Sequence, residues 1–223
     1  MQASPLASTI LFHLGPVAVT RPVVTTWVIM FVLTFVSWLT TRRLQQRPGR
    51  SQAVLELVVT GIARQIGDII RVEPRPYLPL LGTLFIFLVT ANLCGLLPGV
   101  EAPTGKLETP AALALIVFTS VHYFGARARG LLGYVASFAE PKLIMLPLNI
   151  VSEVTRTFSL MVRLFGNVMS GEFVIALVVG LAGLFVPIPL MILEILVGIV
   201  QAYIFTVLAT VFIGAAVGSG EGS

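Results

Sequence analysis

Charged residues are scarce in this chain, and cysteine and histidine are almost absent. Only 11% of the 223 residues are Asp, Glu, Lys or Arg, whereas 57% are hydrophobic. Soluble domains carry about a quarter charged residues, so this composition excludes one and indicates a polytopic membrane protein. The one cysteine, Cys94, excludes an internal disulfide and lies in an apolar run, as expected of a packing residue.

Sequence motifs of enzymes are also missing. The chain has no nucleotide-binding loop, no cluster of metal ligands and no nucleophile triad, so we expect no catalytic site, cofactor or metal in it. Lys and Arg are absent from Met1 to Thr20, which argues against a cleaved signal peptide.

The apolar stretches predict an all-α membrane protein with five transmembrane helices and one interfacial amphipathic helix. Val23 to Thr41 is uncharged and has Trp27 and Trp38 near its ends, as a membrane span does. Gln52 to Arg71 alternates apolar and charged positions at helical spacing, which is typical of a helix lying on the membrane surface. The predicted order is a head at residues 1–22, a first span at 23–41, a basic turn and the interfacial helix at 42–76, a transmembrane hairpin at 77–129, a loop at 130–147, a second hairpin at 148–217 and a tail at 218–223.

The second hairpin is longer than a membrane requires. Its helices are predicted at 148–184 and 190–217, separated by Pro187 and Pro189. At ~1.5 Å per residue the first of them exceeds the hydrocarbon thickness of about 30 Å, so it must tilt or curve. We therefore predict a long tilted hairpin.

The positions of the basic residues predict the orientation. Ten lie on one side of the predicted spans, namely Arg42, Arg43, Arg47, Arg50, Arg64, Arg71, Arg75, Arg127, Arg129 and Lys142. Arg21 and Lys106 lie on the other side. By the positive-inside rule the first side is cytoplasmic, the amino terminus is outside and the carboxyl terminus is cytoplasmic. Because the basic residues are placed as membrane orientation requires, the net charge of +4 does not indicate a nucleic-acid partner.

A polar stripe runs along the helix that begins near residue 148. On a helix of ~3.6 residues per turn, its members lie within about 40° of Arg163. They are Asn149, Ser152, Arg156, Ser159, Arg163, Asn167 and Ser170. Glu172 lies about 180° away. A charged residue within a span costs about 2.5–3.5 kcal/mol on insertion scales, so these positions indicate a functional site.

The residue types suggest an ion path. The Arg163 guanidinium keeps its charge at any attainable pH, so it can repel ions and attract a passing carboxylate but cannot carry a proton. A fold-back near residue 183 places Glu172 level with Glu194, and one near 182 places Arg163 level with Gln201. Two neighbouring carboxylates titrate as a coupled pair, as a proton relay requires. We place this pair in an outer half-channel, and a possible inner one contains Asn149, Ser152, Glu153 and Arg156.

Structural interpretations of the same residues stay open. Arg163 could be neutralised by an internal acid, and Glu172 and Glu194 could be hydrogen-bonding groups alone. Asn167 and Gln201 either orient Arg163 or bridge helices, whereas Asn92 and Thr90 fit helix contacts better.

Several motifs closely resemble the a subunit of F-type ATP synthases. They are RLFGN at 163–167, SGE at 170–172, QAYIF at 201–205 and NLCGLLP at 92–98. The resemblance covers nearly the whole chain from Val23. Glu194 stands where some members have His, and Gly95 where some have Asp.

The resemblance implies a non-catalytic stator subunit of a bacterial cell membrane. Its partners would be a rotating ring of c subunits, b-type peripheral stalk subunits and the lipid bilayer. Arg163 matches the essential arginine of the family, and Ser159, Asn167, Glu172 and Gln201 match its polar positions. Protons, or sodium ions, would pass through two offset half-channels. The alternatives are a secondary transporter, although we find no internal repeat, and a scaffold subunit of a respiratory complex in which the charges only pair.

Overall fold

The computed structural model is a helical bundle with a short β-hairpin at its amino-terminal end. It describes residues 10–14, 17–42, 50–70, 73–95, 100, 102–130, 133–134, 145–183 and 186–218. Strand β1 (Ile10–Leu14) pairs antiparallel with β2 (Val17–Thr20), with His13 opposite Ala18. The head, for which no helix or strand was predicted, therefore forms a hairpin, and there two apolar runs flank a Gly-Pro pair, which is a turn signal. The other long elements described are helical, as the all-α prediction expects.

Six long helices are described. They are α1 (Arg21–Thr41), α2 (Arg50–Ile70), α3 (Leu78–Cys94), α4 (Glu108–Arg129), α5 (Met145–Ala182) and α6 (Ile188–Val217), with a 3-10 turn at Pro103–Gly105 between α3 and α4. Proline stands in the first turn of α1, α3 and α6, where its missing N–H costs no hydrogen bond. Gly130, Gly183 and Gly218 end α4, α5 and α6 with φ of 75°, 82° and 85°, a conformation that favours glycine.

The predicted elements agree with these helices, with shifted ends. The predicted hairpin at 77–129 contains α3, which ends at Cys94, and α4, which begins at Glu108 and ends at Arg129. Helix α5 ends at Ala182, before Pro187 and Pro189, which instead flank the first residue of α6, Ile188. Four helices, α1, α4, α5 and α6, are long and apolar enough to cross a membrane, whereas α3 has 17 residues. Most of the predicted loop at 130–147 and of the tail at 218–223 lies outside the described residues.

The core lies between α3, α4 and α6, with α2 against one side and α5 against another. Its fully buried side chains include Ile66, Leu81, Leu88, Val117, Leu160, Leu164, Phe205 and Ile213. The amphipathic α2 contributes Ile66 and Ile70 to this core and exposes Arg64 and Asp68. Burial therefore separates the two faces of α2 as its spacing predicts.

Helices α1 and α5 bury few of their residues and expose long apolar faces. In α1 the exposed side chains include Phe31, Phe35 and Trp38, and in α5 they include Phe158 and Val162. The 38 residues of α5 span about 57 Å at ~1.5 Å each, so this helix cannot stand upright within a hydrocarbon layer of about 30 Å. Such faces match lipid or a neighbouring chain rather than water.

Two contacts show which helix ends lie side by side. The Thr20 hydroxyl, just before α1, donates to Glu108 Oε2 at 3.0 Å, at the start of α4. At the other end of α4, the Arg129 guanidinium lies against Gly218, which ends α6. A cation there complements the negative end of the helix dipole. Helices α1 and α4 therefore start at one level, and α4 and α6 end at another.

Candidate functional site

The polar stripe of α5 borders a groove shared with α6. This inner groove has a volume of about 350 Å³ and is lined by Ser152, Thr155, Arg156, Ser159, Leu160 and Arg163 of α5 and by Leu208 and Phe212 of α6. Four of the predicted site residues, Ser152, Arg156, Ser159 and Arg163, thus come together. Their spacing of three or four residues along a helix places them on one face, which explains why the groove is polar on the α5 side.

Arg163 is exposed at one end of the inner groove. It forms no hydrogen bond or salt bridge with any residue that the structure describes. The interpretation in which an internal acid neutralises this guanidinium therefore has no support among those residues. A guanidinium in an apolar environment needs an anionic or polar partner, so Arg163 is available to a group outside this chain.

Arg156 is held within the chain, unlike Arg163. Its Nη1 lies 3.8 Å from Glu153 Oε2, and its Cζ lies 5.7 Å from the centre of the Phe212 ring. The Glu153 side chain is 16% exposed and that of Arg156 is 48% exposed. Asn149, one turn earlier, is half-buried and does not line the groove. The predicted inner residues thus divide into a lining pair, Ser152 and Arg156, and the supporting Glu153.

Tyr134 is a neighbour of this groove that the sequence did not reveal. It is buried, it fills the space beside Gly125, and its ring meets that of His122 edge-on at 5.8 Å. Burial raises the pKa of the Tyr134 hydroxyl, and the Glu153 carboxylate raises this pKa further, whereas Arg129 lowers it. The electrostatic contact with Glu153 places Tyr134 near the start of the polar stripe.

A second cavity lies at the other end of the α5/α6 hairpin. This outer cavity has a volume of about 310 Å³, and Glu172 and Glu194 both line it. Its other lining residues are Asn92, Gly95, Val100, Ala102, Val168, Ile175, Ala176 and Met191. The structure therefore brings together the two carboxylates that the predicted fold-back places level with each other.

Each of these carboxylates lies against a glycine. A Cβ built on Gly105 would lie 2.9 Å from both carboxylate oxygens of Glu172, and one built on Gly171 would overlap the Glu194 carboxylate. No other residue type would leave this room, because every other side chain begins with a Cβ. Gly105 and Gly171 thus leave room for the two carboxylates, and sequence reasoning missed them, since the contacts are made between distant segments.

Between the inner groove and the outer cavity lies a stretch of buried side chains among the described residues, called here the closed stretch. Leu164 and Phe205 are 0% and 1% exposed, and Asn167 Nδ2 donates to Gln201 Oε1 at 3.4 Å. Gln201 is 4% exposed, and its Nε2 has no hydrogen-bond partner among the described residues. This hydrogen bond thus joins Gln201 to Asn167, one turn beyond Arg163. Packed apolar side chains and one amide bridge separate the two cavities.

Comparison with known proteins identifies a family. The family described as "ATP synthase A chain" matches residues 23–214. The chain belongs to this family. It is 77% identical over 219 residues to ATP synthase subunit a 2 of Bradyrhizobium sp. strain BTAi1, with 98% of each chain covered. It is 49% identical over 216 residues to ATP synthase subunit a 1 of Chlorobaculum parvum, with 96% of each chain covered.

A further member of the family, ATP synthase subunit a of Albidiferax ferrireducens, is 50% identical over 196 residues, which are 87% of this chain and 85% of the relative. The range that matches the ATP synthase A chain family, residues 23–214, begins two residues after the start of α1 and ends three residues before the end of α6. The inner groove, the closed stretch and the outer cavity all lie within it. The resemblance expected from the motifs is therefore confirmed at the level of the family.

Proposed function

We propose that this chain is the membrane subunit through which ions cross in a rotary F-type ATP synthase, coupling an ion gradient to ATP synthesis or hydrolysis. The observation that carries this proposal is the pair of cavities at opposite ends of the α5/α6 hairpin, each with charged side chains in its lining and separated by the closed stretch. A continuous pore would dissipate the gradient. Two cavities that do not meet within the chain require a carrier to move the ion from one to the other.

The carrier is the ion-binding carboxylate of a rotating c subunit. Arg163 is exposed and has no partner among the described residues, so a passing carboxylate neutralises its charge. Attraction to the guanidinium makes that carboxylate release its ion at the inner groove or the outer cavity. The fixed positive charge also keeps a free cation from passing straight along α5.

The side chains at each cavity have distinct roles in this scheme. Glu172 and Glu194 exchange ions with the outer medium as a coupled pair of carboxylates. Ser152, Ser159 and Arg156 line the inner path, with Glu153 balancing the charge of Arg156 and Asn149 near its entrance. Asn167 and Gln201 hold α5 against α6 beside Arg163. The b-type stalk subunits hold this chain still while the ring turns.

We also propose five crossings, with α3 as the fifth. Thr20 at the start of α1 contacts Glu108 at the start of α4, so the chain must return across the membrane between the end of α1 and the start of α4. Helix α3, with 17 apolar residues, is at the lower limit for such a crossing. The basic residues then place the amino terminus in the periplasm and the carboxyl terminus in the cytoplasm of a bacterial cell.

The alternatives fit this geometry less well. A transporter of the discontinuous-helix type would break near the membrane midplane, whereas α5 and α6 run without interruption through residues 145–182 and 188–217. A scaffold in which the charges only pair would give Arg163 an internal acid, and the described residues provide none.

Accessibility of single cysteines tests the proposal. In a Cys94→Ala background, Ser152→Cys lines the inner groove, Ala176→Cys lines the outer cavity, and Leu115→Cys is an exposed α4 control that lines neither. In the assembled complex a membrane-impermeant thiol reagent should label Ser152→Cys from the cytoplasmic side only and Ala176→Cys from the periplasmic side only. Labelling of both positions from the same side would contradict the two-cavity scheme.

A further inference from the structure

Asn92 joins three segments of the outer cavity through two hydrogen bonds. Its Nδ2 donates to the backbone carbonyl of Gly198 in α6 at 2.8 Å, and its Oδ1 accepts from the Thr104 hydroxyl of the 3-10 turn at 2.8 Å. Asn92 is 8% exposed and Thr104 is 0% exposed. Because an unsatisfied buried polar group is costly, these two bonds fix α3, the turn and α6 relative to one another.

Both partners of Asn92 lie next to the groups that hold the acidic residues. Gly198 is one helical turn from Glu194 on α6. Thr104 directly precedes Gly105, the glycine that lies against the Glu172 carboxylate. A shift of either hydrogen bond therefore displaces one carboxylate relative to the other.

The approach of α3 to α6 at this level depends on a glycine. A Cβ built on Gly198 would lie 3.1 Å from Asn92 Cβ, which is closer than ordinary packing allows. It would lie 3.8 Å from Asn92 Nδ2, which is an ordinary van der Waals contact. Gly198→Ala would therefore push the Asn92 amide away by a few tenths of an ångström. The hydrogen bond to Gly198 can thus be perturbed without altering Asn92 itself.

We infer that Asn92, acting through Thr104 and Gly198, is a positioning residue that sets how Glu172 and Glu194 face each other, and thereby the ion affinity of the outer cavity. This inference rests on the proposed function. Asn92 lines the cavity, but its amide oxygen and nitrogen are both engaged with the chain, so its role is to hold the carboxylates rather than to bind the ion.

Thr104→Val tests this role, because valine keeps the shape of threonine and removes the hydroxyl that donates to Asn92. Thr104→Ser keeps the hydroxyl and should restore normal behaviour. Thr119→Val is the matched control, since the Thr119 hydroxyl is exposed and bonds to Leu115 O of its own helix at 2.9 Å. Each variant is purified as the whole ATP synthase and reconstituted into liposomes with the catalytic head outside, so that the lumen corresponds to the periplasm.

The measurement is the rate of ATP synthesis after an acid-base jump. Lumenal pH is varied at constant external pH, then external pH at constant lumenal pH, and parallel series vary sodium in the same way. In Thr104→Val, the lumenal pH at which the rate is half-maximal should shift by about half to one pH unit, or the corresponding sodium concentration by the equivalent fold-change. The reason is that a net hydrogen bond contributes about as much free energy as one pKa unit. The external pH or sodium concentration at half-maximal rate should stay unchanged.

A lower rate at every lumenal pH with an unmoved midpoint would show a merely structural role and overturn the inference. If Thr104→Val does not assemble, Gly198→Ala receives the same measurement and the same interpretation. If neither assembles while Thr104→Ser and Thr119→Val do, the contact is structural and the inference fails. Failure of the proposed function is distinct, since the wild-type complex would then show no ion-driven ATP synthesis.

Discussion

Replacing Arg163 with alanine should abolish ATP-driven ion pumping while leaving the complex assembled. The structure explains the second part, because Arg163 is exposed and forms no salt bridge with a described residue. Its removal leaves no described internal acid unpaired. Substitutions at exposed positions without such contacts change the free energy of unfolding by less than about 0.5 kcal/mol. The amount of chain recovered with the purified complex should therefore equal that of the wild type.

The loss of pumping follows from the missing charge. A guanidinium about 4 Å from a carboxylate contributes roughly 4 kcal/mol at an effective dielectric constant of about 20. At about 1.4 kcal/mol per tenfold change, this is roughly a thousandfold preference for the ion-free carboxylate beside Arg163. In Arg163→Ala the ring carboxylate keeps its ion as it passes, so no net transfer between the inner groove and the outer cavity accompanies rotation.

The assay is acidification of inverted membrane vesicles on addition of ATP, followed with a pH-sensitive dye, with sodium uptake measured in parallel. Arg156→Ala is the matched control, since Arg156 lies two turns earlier on the same face of α5 but has Glu153 and Phe212 as partners. A partly exposed ion pair contributes about 0–1 kcal/mol, so this control should slow pumping by less than about fivefold. Arg163→Ala vesicles that pump at more than about a tenth of the wild-type rate would refute the electrostatic argument.

Three further substitutions, Gly171→Ala, Glu172→Gln and Glu194→Gln, test the outer cavity, and Gly180→Ala is a control outside it. Gly171→Ala places a methyl group on the Glu194 carboxylate, which must rotate away, so ion pumping should fall severalfold at unchanged assembly; a normal pumping rate would contradict this. Gly180→Ala on the same helix meets nothing within 4 Å, so it should pump normally and gain up to about 1 kcal/mol of helix stability, measured as thermal unfolding. Glu172→Gln and Glu194→Gln should each lower the pumping rate, and the double variant should be less impaired than the product of the single effects, because coupled groups act non-additively. If the double variant instead loses the product of the two single effects at every pH tested, the two carboxylates act independently.

The helices could be predicted from the sequence because apolar length and helical spacing are local properties. The amphipathic α2 follows from the alternation of residues such as Ile62, Ile66 and Asp68, and the polar side of the groove follows from the spacing of Ser152, Ser159 and Arg163. The cavity shared by Glu172 and Glu194 follows from the lengths of two helices joined by a short turn. Each of these inferences uses only positions within one helix or one hairpin.

The features that sequence analysis missed depend on contacts between distant segments. The β-hairpin at Ile10–Thr20 is short and apolar, so its alternation was too weak to separate it from an irregular head. Gly105 and Gly171 are ordinary glycines in the sequence, and their importance appears only when Glu172 and Glu194 lie against them. Likewise, the hydrogen bond between Asn92 and Gly198 spans 106 positions, and no spacing rule predicts such a bond.

Under the proposed function, the closed stretch and Arg163, which has no partner among the described residues, together call for a second chain. Among those residues, the buried side chains of Leu164 and Phe205 fill the interval between Glu172 and Ser159, so the ion is expected to travel outside this interval. It must leave along the exposed face of α5, where apolar side chains such as Phe158 and Val162 offer it no ligand. A carrier that crosses this face must neutralise the ion in the apolar environment and must give it up beside a permanent positive charge. A carboxylate meets both conditions, since it is neutral with its ion bound and is stabilised by Arg163 when the ion is gone.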